Sequence, residues 1–347
     1  MQVSWYWIKQ RPHFVAEGLS DDYDILVVDR KEFKKTVKNE SRIRVTHPFR
    51  LPFERYRIVD AINSFLSRIQ FFFYKKNKGI VWITNPIQYK WIGSCKGKKL
   101  VYDCMDDMPA LSKNERMKSQ TIVYEKKLLK DADLVFASSG YLRDKLLKEY
   151  GERDIIVVNN AIKDTIEDYK KINTIPSNIV FQEGKVNLTY IGTLSSWFDY
   201  EMVIKVLDKH SDWVLNLFGP SENLVPTHPQ IIYHGSIEHQ YILEIMERSD
   251  ALVMPFIVNE LIRSVNPVKL YEYIYSGRPC VAPRYGETEQ FSEYVRLYNN
   301  HDEFEQMISE IVSRKYTQKP QDECERFALQ NTWHERITQI KKYLVNE

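Results

Sequence analysis

Short apolar runs without polar alternation recur along this chain, and longer stretches of helical periodicity lie between them. VSWYW, DILVVD, SRIRVTHPF, GIVWITNP, KLVYDCMDDM, DLVFASS and DIIVVNN are the runs of the first half. A strand that is apolar at consecutive positions is covered on both faces, as in a parallel sheet flanked by helices. NERMKSQTIVYEKKLLKDA and GYLRDKLLKEYG supply helical partners, giving the strand–helix alternation of a doubly wound α/β unit. The pattern lapses over DTIEDYKKINTIPSNIVFQEG, residues 164–184, then resumes as KVNLTYIGTL, VLNLFGP, IIYHGS, ALVMPF and RPCVAP. SWFDYEMVIKVLDKH, HQYILEIMERSD and NPVKLYEYIYSG space these runs, and two helices, over about 301–315 and 322–345, close the chain. At 347 residues and 43% apolar content, the chain can bury two cores. The expectation is an α/β protein of two tandem Rossmann-like domains, 1–165 and 185–320. Residues 166–184 would link them, and a C-terminal helix, 321–347, would pack back toward the first. Ligands of open α/β sheets bind beyond the carboxyl ends of the strands, so the site is expected in a cleft between facing domains.

Charge separates the halves. Residues 1–165 hold 31 Lys/Arg against 21 Asp/Glu, residues 166–347 hold 18 against 26, and residues 30–99 hold 18 against four. A basic half and an acidic half point to different partners, with an anionic surface met by the first. Within the basic stretch, RYRIVDAINSFLSRIQFFFYKK places Ile58, Ile62, Phe65, Leu66, Ile69 and Phe73 at helical spacing. It reads as a core-facing helix with a wet basic side, in preference to one lying on an anionic membrane. The four cysteines form no CxxC pair and read as reduced thiols of a cytosolic protein. The N-terminal apolar run, about six residues before Lys9, is too short for a signal peptide, and no later run is long enough to span a bilayer.

Neither half has GxGxxG after its first strand, and GxxxxGK[ST] is absent, so a dinucleotide dehydrogenase or P-loop NTPase lacks its phosphate cradle. An anion site of another kind is offered by NPVKLYEYIYSGRPCVAP, residues 266–283. Asn266 suits an N-cap, Pro267 the first helical position, and Gly277 the C-terminal cap. Lys269 then falls in the first turn, where the helix dipole disfavours a cation unless an anion binds there. Glu272, one turn on, is placed to accept from paired sugar hydroxyls. A merely structural Lys–Glu pair would contribute only tenths of a kcal/mol.

In order and spacing, YIGTLSSWFDYEMV, LNLFGP, IIYHGSIEHQYILEIMERSDALVMPF, NPVKLYEYIYSGRPCVAP and NTWHERITQIKKYL resemble the donor-binding domain of GT-B glycosyltransferases of the group that builds bacterial surface polysaccharides. The resemblance covers about residues 186–343. It extends more loosely to the first half through WYWIKQRPHFVAEGL, LVYDCMDDM and VVNNAI. It implies that Gly192 and Thr193 lie where backbone approaches the donor diphosphate and that Gly219 leaves room near the nucleotide. His234, Gly235 and Ile237 would border the base, Lys269 would neutralise the diphosphate, and Glu272 would hold the ribose. Asn266 opens the same helix. Ser264 stands where many retaining members carry a glutamate that touches the donor sugar, and GTLSSW lacks the Arg and Lys that often follow the first glycine. Arg263 is the candidate replacement cation.

LVYDCMDDMPAL ends a strand with Asp103, Asp106 and Asp107. By resemblance to inverting GT-B enzymes, Asp106 is the candidate base that takes a proton from the acceptor hydroxyl. A metal-binding DxD of a GT-A transferase is the competing reading, and the second strand–helix series argues against it. Asp107 or Asp103 would otherwise cap a helix or loop. Arg11 and Asp107 are candidate acceptor contacts, His13 is a second candidate base, and Asp199 a helix cap. The reading is a metal-independent, cytoplasmic glycosyltransferase, peripheral to the inner face of the cell membrane and with no cofactor. It would use a nucleotide-sugar donor, UDP-linked, and a lipid-linked glycan acceptor, with no nucleic-acid partner. The alternatives are a nucleotide-sugar 2-epimerase of the same architecture and a non-catalytic polyanion- or sugar-binding protein.

Overall fold

The computed structural model describes residue 5 and residues 9–29, 43–53, 56–74, 79–93, 95, 97–112, 114–163 and 174–345. The chain forms two compact units, Met1–Asn159 with Arg336–Glu347, and Asn160–Glu335.

In the first unit the strands are β1 (Leu26–Val28), β2 (Arg44–Thr46), β3 (Ile80–Ile83), β4 (Lys99–Cys104), β5 (Leu134–Ala137) and β6 (Ile156–Val157). The helices are α1 (Arg11–Leu19), α2 (Arg57–Tyr74), α3 (Pro86–Ile92), α4 (Glu115–Asp131) and α5 (Gly140–Tyr150). β1 pairs with β2, and β3-β4-β5-β6 form a parallel sheet in chain order. Five of the six residues of β4 are buried, the burial of a strand covered on both faces. Asn85, Asn114 and Ser139 cap α3, α4 and α5 through their side chains, each pairing a first-turn N–H that the helix leaves open. Of VSWYW only Trp5 lies among the described residues, so that expected strand falls outside them. α1 and α3 are helices that periodicity did not reveal, because both are short and each begins with proline near its N-terminus.

The second unit contains β7 (Val186–Ile191), α6 (Tyr200–Leu207), β8 (Trp213–Phe218), β9 (Ile231–Gly235), α7 (Ile242–Glu247), β10 (Ala251–Val253), α8 (Glu260–Ser264), α9 (Val268–Tyr275), β11 (Cys280–Pro283), β12 (Arg296–Tyr298), α10 (His301–Val312) and α11 (Gln321–Leu329). Its parallel sheet has the order β9-β8-β7-β10-β11-β12. This is the 3-2-1-4-5-6 order of a Rossmann sheet, whose topological switch point lies between β7 and β10. Each residue of β8 is buried.

Three expectations change. The final stretch is not one helix: α11 ends at Leu329 and α12 runs Trp333–Val345, because Thr332 bridges to Ile162 and interrupts it. Residues of α12 from Arg336 on belong to the first unit. There Gln339 donates to the Val157 carbonyl at 3.1 Å and Lys99 to that of Tyr343 at 3.2 Å. The described part of the expected linker, 174–184, is part of the second unit, with Ile179 in its core and Gln182 bonded to Asn187. The apolar stripe of α2 does not face a core. The residues of α2 that are buried are Asn63, Ser64 and Ser67, while Ile58, Phe65 and Phe73 are exposed.

Candidate functional site: three glycine strand ends and a first-turn lysine

β7, β8 and β9 each end at a glycine, and hydrogen bonds tie the ends together. Gly192 N–H donates to the Phe218 carbonyl at 2.7 Å, and Gly219 N–H to that of Gly235 at 2.8 Å. Gly192 has φ of 152° and Gly219 of 126°, conformations that L side chains rarely adopt. Space demands glycine as well. A Cβ on Gly219 would lie 2.2 Å from the Gly192 carbonyl oxygen, and one on Gly192 would lie 1.8 Å from Lys269 Cε. The sheet therefore presents bare backbone beside the switch point.

α9 is clamped to that place. The Tyr273 hydroxyl accepts from Ile191 N–H at 2.9 Å, fixing the helix to the last residue of β7. Leu270, Tyr271, Tyr273 and Ile274 turn inward, so Lys269 is left to extend over Gly192. Its Nζ lies 5.8 Å from the centre of the Tyr190 ring, and the Tyr190 hydroxyl donates to the Thr193 carbonyl. Burial pushes the Lys269 pKa below the ordinary lysine value, and the Glu272 carboxylate opposes that shift. A desolvated ammonium beside exposed backbone is stabilised by a bound anion.

Asn266 does not cap α9. Pro267 takes the N-cap position, with no side-chain bond to the first turn. Asn266 is buried, and its Oδ1 accepts from Asn160 N–H at 3.1 Å while its carbonyl accepts from Asn160 Nδ2. A residue 106 positions away has taken the cap's side chain. The first turn consequently keeps N–H donors without a side-chain acceptor, which adds to the anion-binding character of this end. Gly277 follows the helix at φ 68°, with its N–H on the Ile274 carbonyl, the role its position implied.

Glu272 is partly buried, 3.6 Å from His239 Nε2. His239 opens a short 3-10 turn after β9, and sequence reading gave it no role because nothing marks HQY as a site. His234 stacks on Phe218 at 4.4 Å and its Nε2 pairs with Asn216 Oδ1 at 3.1 Å. Desolvation lowers its pKa, favouring the neutral ring that packs there. Ile237 packs on the unit's core. Arg263 is exposed on α8. Ser264 Oγ donates to the Leu261 carbonyl. Asp199 caps α6 by accepting from Met202 N–H at 2.9 Å, as expected.

In the first unit the acidic run surrounds the end of β4. Asp103, fully buried, is held by Arg11: Nε donates to both carboxylate oxygens at 2.9 and 3.1 Å, and Nη2 approaches to 2.8 Å. Arg11 also donates to the Val158 carbonyl at 2.6 Å. Both side chains are buried, and the Arg11 guanidinium is engaged by Asp103 and the Val158 carbonyl. Asp107 is buried as well, accepting from Ala110 N–H at 3.1 Å and paired with Lys145 at 2.5 Å. It caps a turn, the structural alternative given above. His13 is buried and stacked on Trp5, and its Nδ1 accepts from Gln10 N–H at 3.1 Å, completing the capping box of α1. Asp106 differs from all of these: it keeps partial access to solvent. Burial pushes its carboxyl up to about 7; Arg11 pulls it down, and Asp103 and Asp107 raise it further. A carboxyl poised near neutral pH is suited to general-base chemistry.

The chain is 23% identical over 268 residues to TuaH of Bacillus subtilis (strain 168), which is named for a glycosyltransferase role in teichuronic acid biosynthesis. The match covers 71% of this chain and 66% of the relative, just under two thirds of its length. No protein-family model matches. Among solved structures, Anabaena HepE in complex with UDP and glucose superposes with a TM-score of 0.72 at 15% identity, over 99% of this chain and 98% of that one. Sucrose-phosphate synthase from Thermosynechococcus elongatus superposes with a TM-score of 0.73 at 12% identity, over 95% and 90%.

Proposed function

From the premise that this chain has the GT-B fold of two Rossmann-like units, we propose that it is a glycosyltransferase. Its donor is a nucleoside diphosphate sugar, UDP-linked, and its product a growing surface glycan carried on lipid. The observation that carries the reading is Lys269 lying against the Cα of Gly192 at the switch point, on a helix end with no side-chain cap. The likeness to TuaH supports the surface-glycan product, and the likeness to HepE, solved with UDP, supports the donor.

In this reading the diphosphate rests on the strand ends at Gly192 and Thr193 and on the first turn of α9. Lys269 neutralises the charge that develops as the anomeric C–O bond breaks, the largest service available to such a reaction. Glu272 accepts from the ribose hydroxyls, and Gly219, Gly235, His234 and Ile237 border the nucleoside with main chain. Asp106 takes the proton of the acceptor hydroxyl, whose oxygen attacks the anomeric carbon while the nucleoside diphosphate leaves, an inverting displacement. Neutralisation by Lys269 and the helix end makes the transfer metal-independent. The basic first unit attracts the lipid diphosphate of the acceptor and anionic headgroups, which places the enzyme peripherally at the inner face of the cell membrane.

Calorimetric titration with UDP, GDP and dTDP, with and without EDTA, tests the donor site. UDP binds, EDTA leaves binding unchanged, and Lys269→Ala weakens it about 10- to 100-fold, the loss of one charge-assisted contact. No binding at millimolar UDP would overturn the reading.

A further inference from the structure

We infer that the outward face of α2, together with Phe49 and Phe53 of the segment before it, is a docking surface for an anionic lipid bilayer. The inference deepens the peripheral placement proposed above and rests on it, but not on the transfer reaction.

α2 is amphipathic the wrong way round. Ile58, Ile62, Phe65, Ile69 and Phe72 are spaced four, three, four and three residues apart, one stripe of a helix. They are 76%, 42%, 65%, 42% and 71% exposed. The opposite, packed face carries Asn63, Ser64 and Ser67, and these polar groups are put to use. Asn63 accepts from Leu51 N–H at 2.7 Å and donates to the Leu51 carbonyl at 2.9 Å; Gln70 does the same for Phe49, at 2.7 and 3.0 Å. The two side-chain amides thus act as a strand partner, laying the chain around residues 49–51 along the helix. Phe49 and Phe53, on and just after the segment these amides hold, stand 65% and 67% exposed. Phe53 has φ of 66°, a conformation a bulky side chain rarely takes and one retained when the surroundings impose it. Reversing the helix to bury its stripe would break these four bonds. The apolar face is therefore built into the fold.

An exposed apolar stripe of this length marks an interaction site, and charge selects the occupant. The helix has one carboxylate, Asp60, and Lys90 neutralises it at 2.6 Å. Arg57 and Arg68 are exposed at its margins, in a stretch with 18 basic residues against four acidic ones. An apolar stripe with cationic margins is the surface that sinks into the headgroup region of anionic lipid. A second copy of the same face would bring like charges together. Among the described residues no helix is long and apolar enough to cross a membrane, so α2 lies along the surface.

The test is flotation of the full chain, without nucleotide, on vesicles of phosphatidylcholine alone and of phosphatidylcholine mixed with phosphatidylglycerol. The chain floats with the mixed vesicles and not with the neutral ones. Phe65→Ser with Phe72→Ser, which changes no charge, lowers the bound fraction about tenfold, while its circular dichroism and UDP titration match the unaltered chain. Binding that survives this variant, or no binding by the unaltered chain, overturns the inference and leaves the donor site standing. A dimer by light scattering that the same variant dissociates overturns it too, by assigning the face to a second copy. Lipid binding without UDP binding would instead sink the donor reading alone.

Discussion

At the ends of β7, β8 and β9 the second unit presents backbone, whereas the end of β4 in the first unit presents charge. Gly192 and Gly219 hold their place by the absence of a side chain, and the lysine at that site is delivered by a helix. Around Asp106, by contrast, Arg11 pairs with Asp103 and Lys145 with Asp107, and burial first, then the charges of Arg11, Asp103 and Asp107, bring one carboxyl's pKa near 7. A site made of backbone is intolerant of added atoms. A site made of paired charges is intolerant of lost ones.

The sharpest way to break that contrast is to remove a charge. Asp103→Ala strands the buried Arg11 guanidinium, and should cost about 3–5 kcal/mol in denaturant unfolding. It also removes a carboxylate that raises the Asp106 pKa, so any activity that survives should have its rise moved to lower pH. In the second unit the matching change is an addition. Gly219→Ala drives a methyl group to 2.2 Å from a backbone oxygen that cannot move aside, at an unfavourable φ, and should cost about 2–4 kcal/mol with loss of UDP binding.

Asp106→Asn separates the two sites functionally. Transfer should fall about 10²- to 10⁴-fold, the usual contribution of a general base, while UDP titration is unchanged. The pH dependence has a definite sign. The folded pKa, about 7, lies above the ordinary aspartate value of 3.8, so the folded protein holds this proton more tightly than the unfolded chain. Stability from the group is full below about pH 4 and is lost as pH rises through about 7. On the proposed role of Asp106 as base, activity should rise as pH passes through about 7. Asp106→Asn should accordingly gain about 4 kcal/mol relative to the unaltered chain when compared at pH 8 and pH 4. The smallest effect belongs to Asp199→Ala, which removes the cap of α6 at about 1 kcal/mol and should leave both sites intact. A large loss of transfer there would mean that Asp199 does more than cap.

The βα series was legible because strands covered on both faces read as unbroken apolar runs, and β4 and β8 are the clearest examples. β12 was not, since three residues at a sheet edge, Arg296–Tyr298, leave no periodic signal. The helix with Lys269 in its first turn was legible from Pro267 and Gly277 at its two ends. Its missing cap was not, because the amide of Asn266 is claimed by Asn160 through a contact that spacing cannot encode. The same limit applies to Arg11 and Asp103, 92 positions apart, and to the pairing of Glu272 with His239.

α2 shows where the division falls. Its eighteen residues declare a helix and an apolar stripe by themselves, because both are local properties of spacing. Which side of that helix is buried depends on what else is near, and here Leu51, Phe49 and Lys90 bind the polar side. The sequence alone determined the longer elements, their alternation, the glycines at strand ends and the lysine in the first turn, all set within a few residues. Tertiary structure alone decided which carboxylates are paired, which aspartate keeps access to solvent, and that an apolar face points to water. Those outcomes depend on hydrogen bonds and desolvation between residues that are neighbours only after folding.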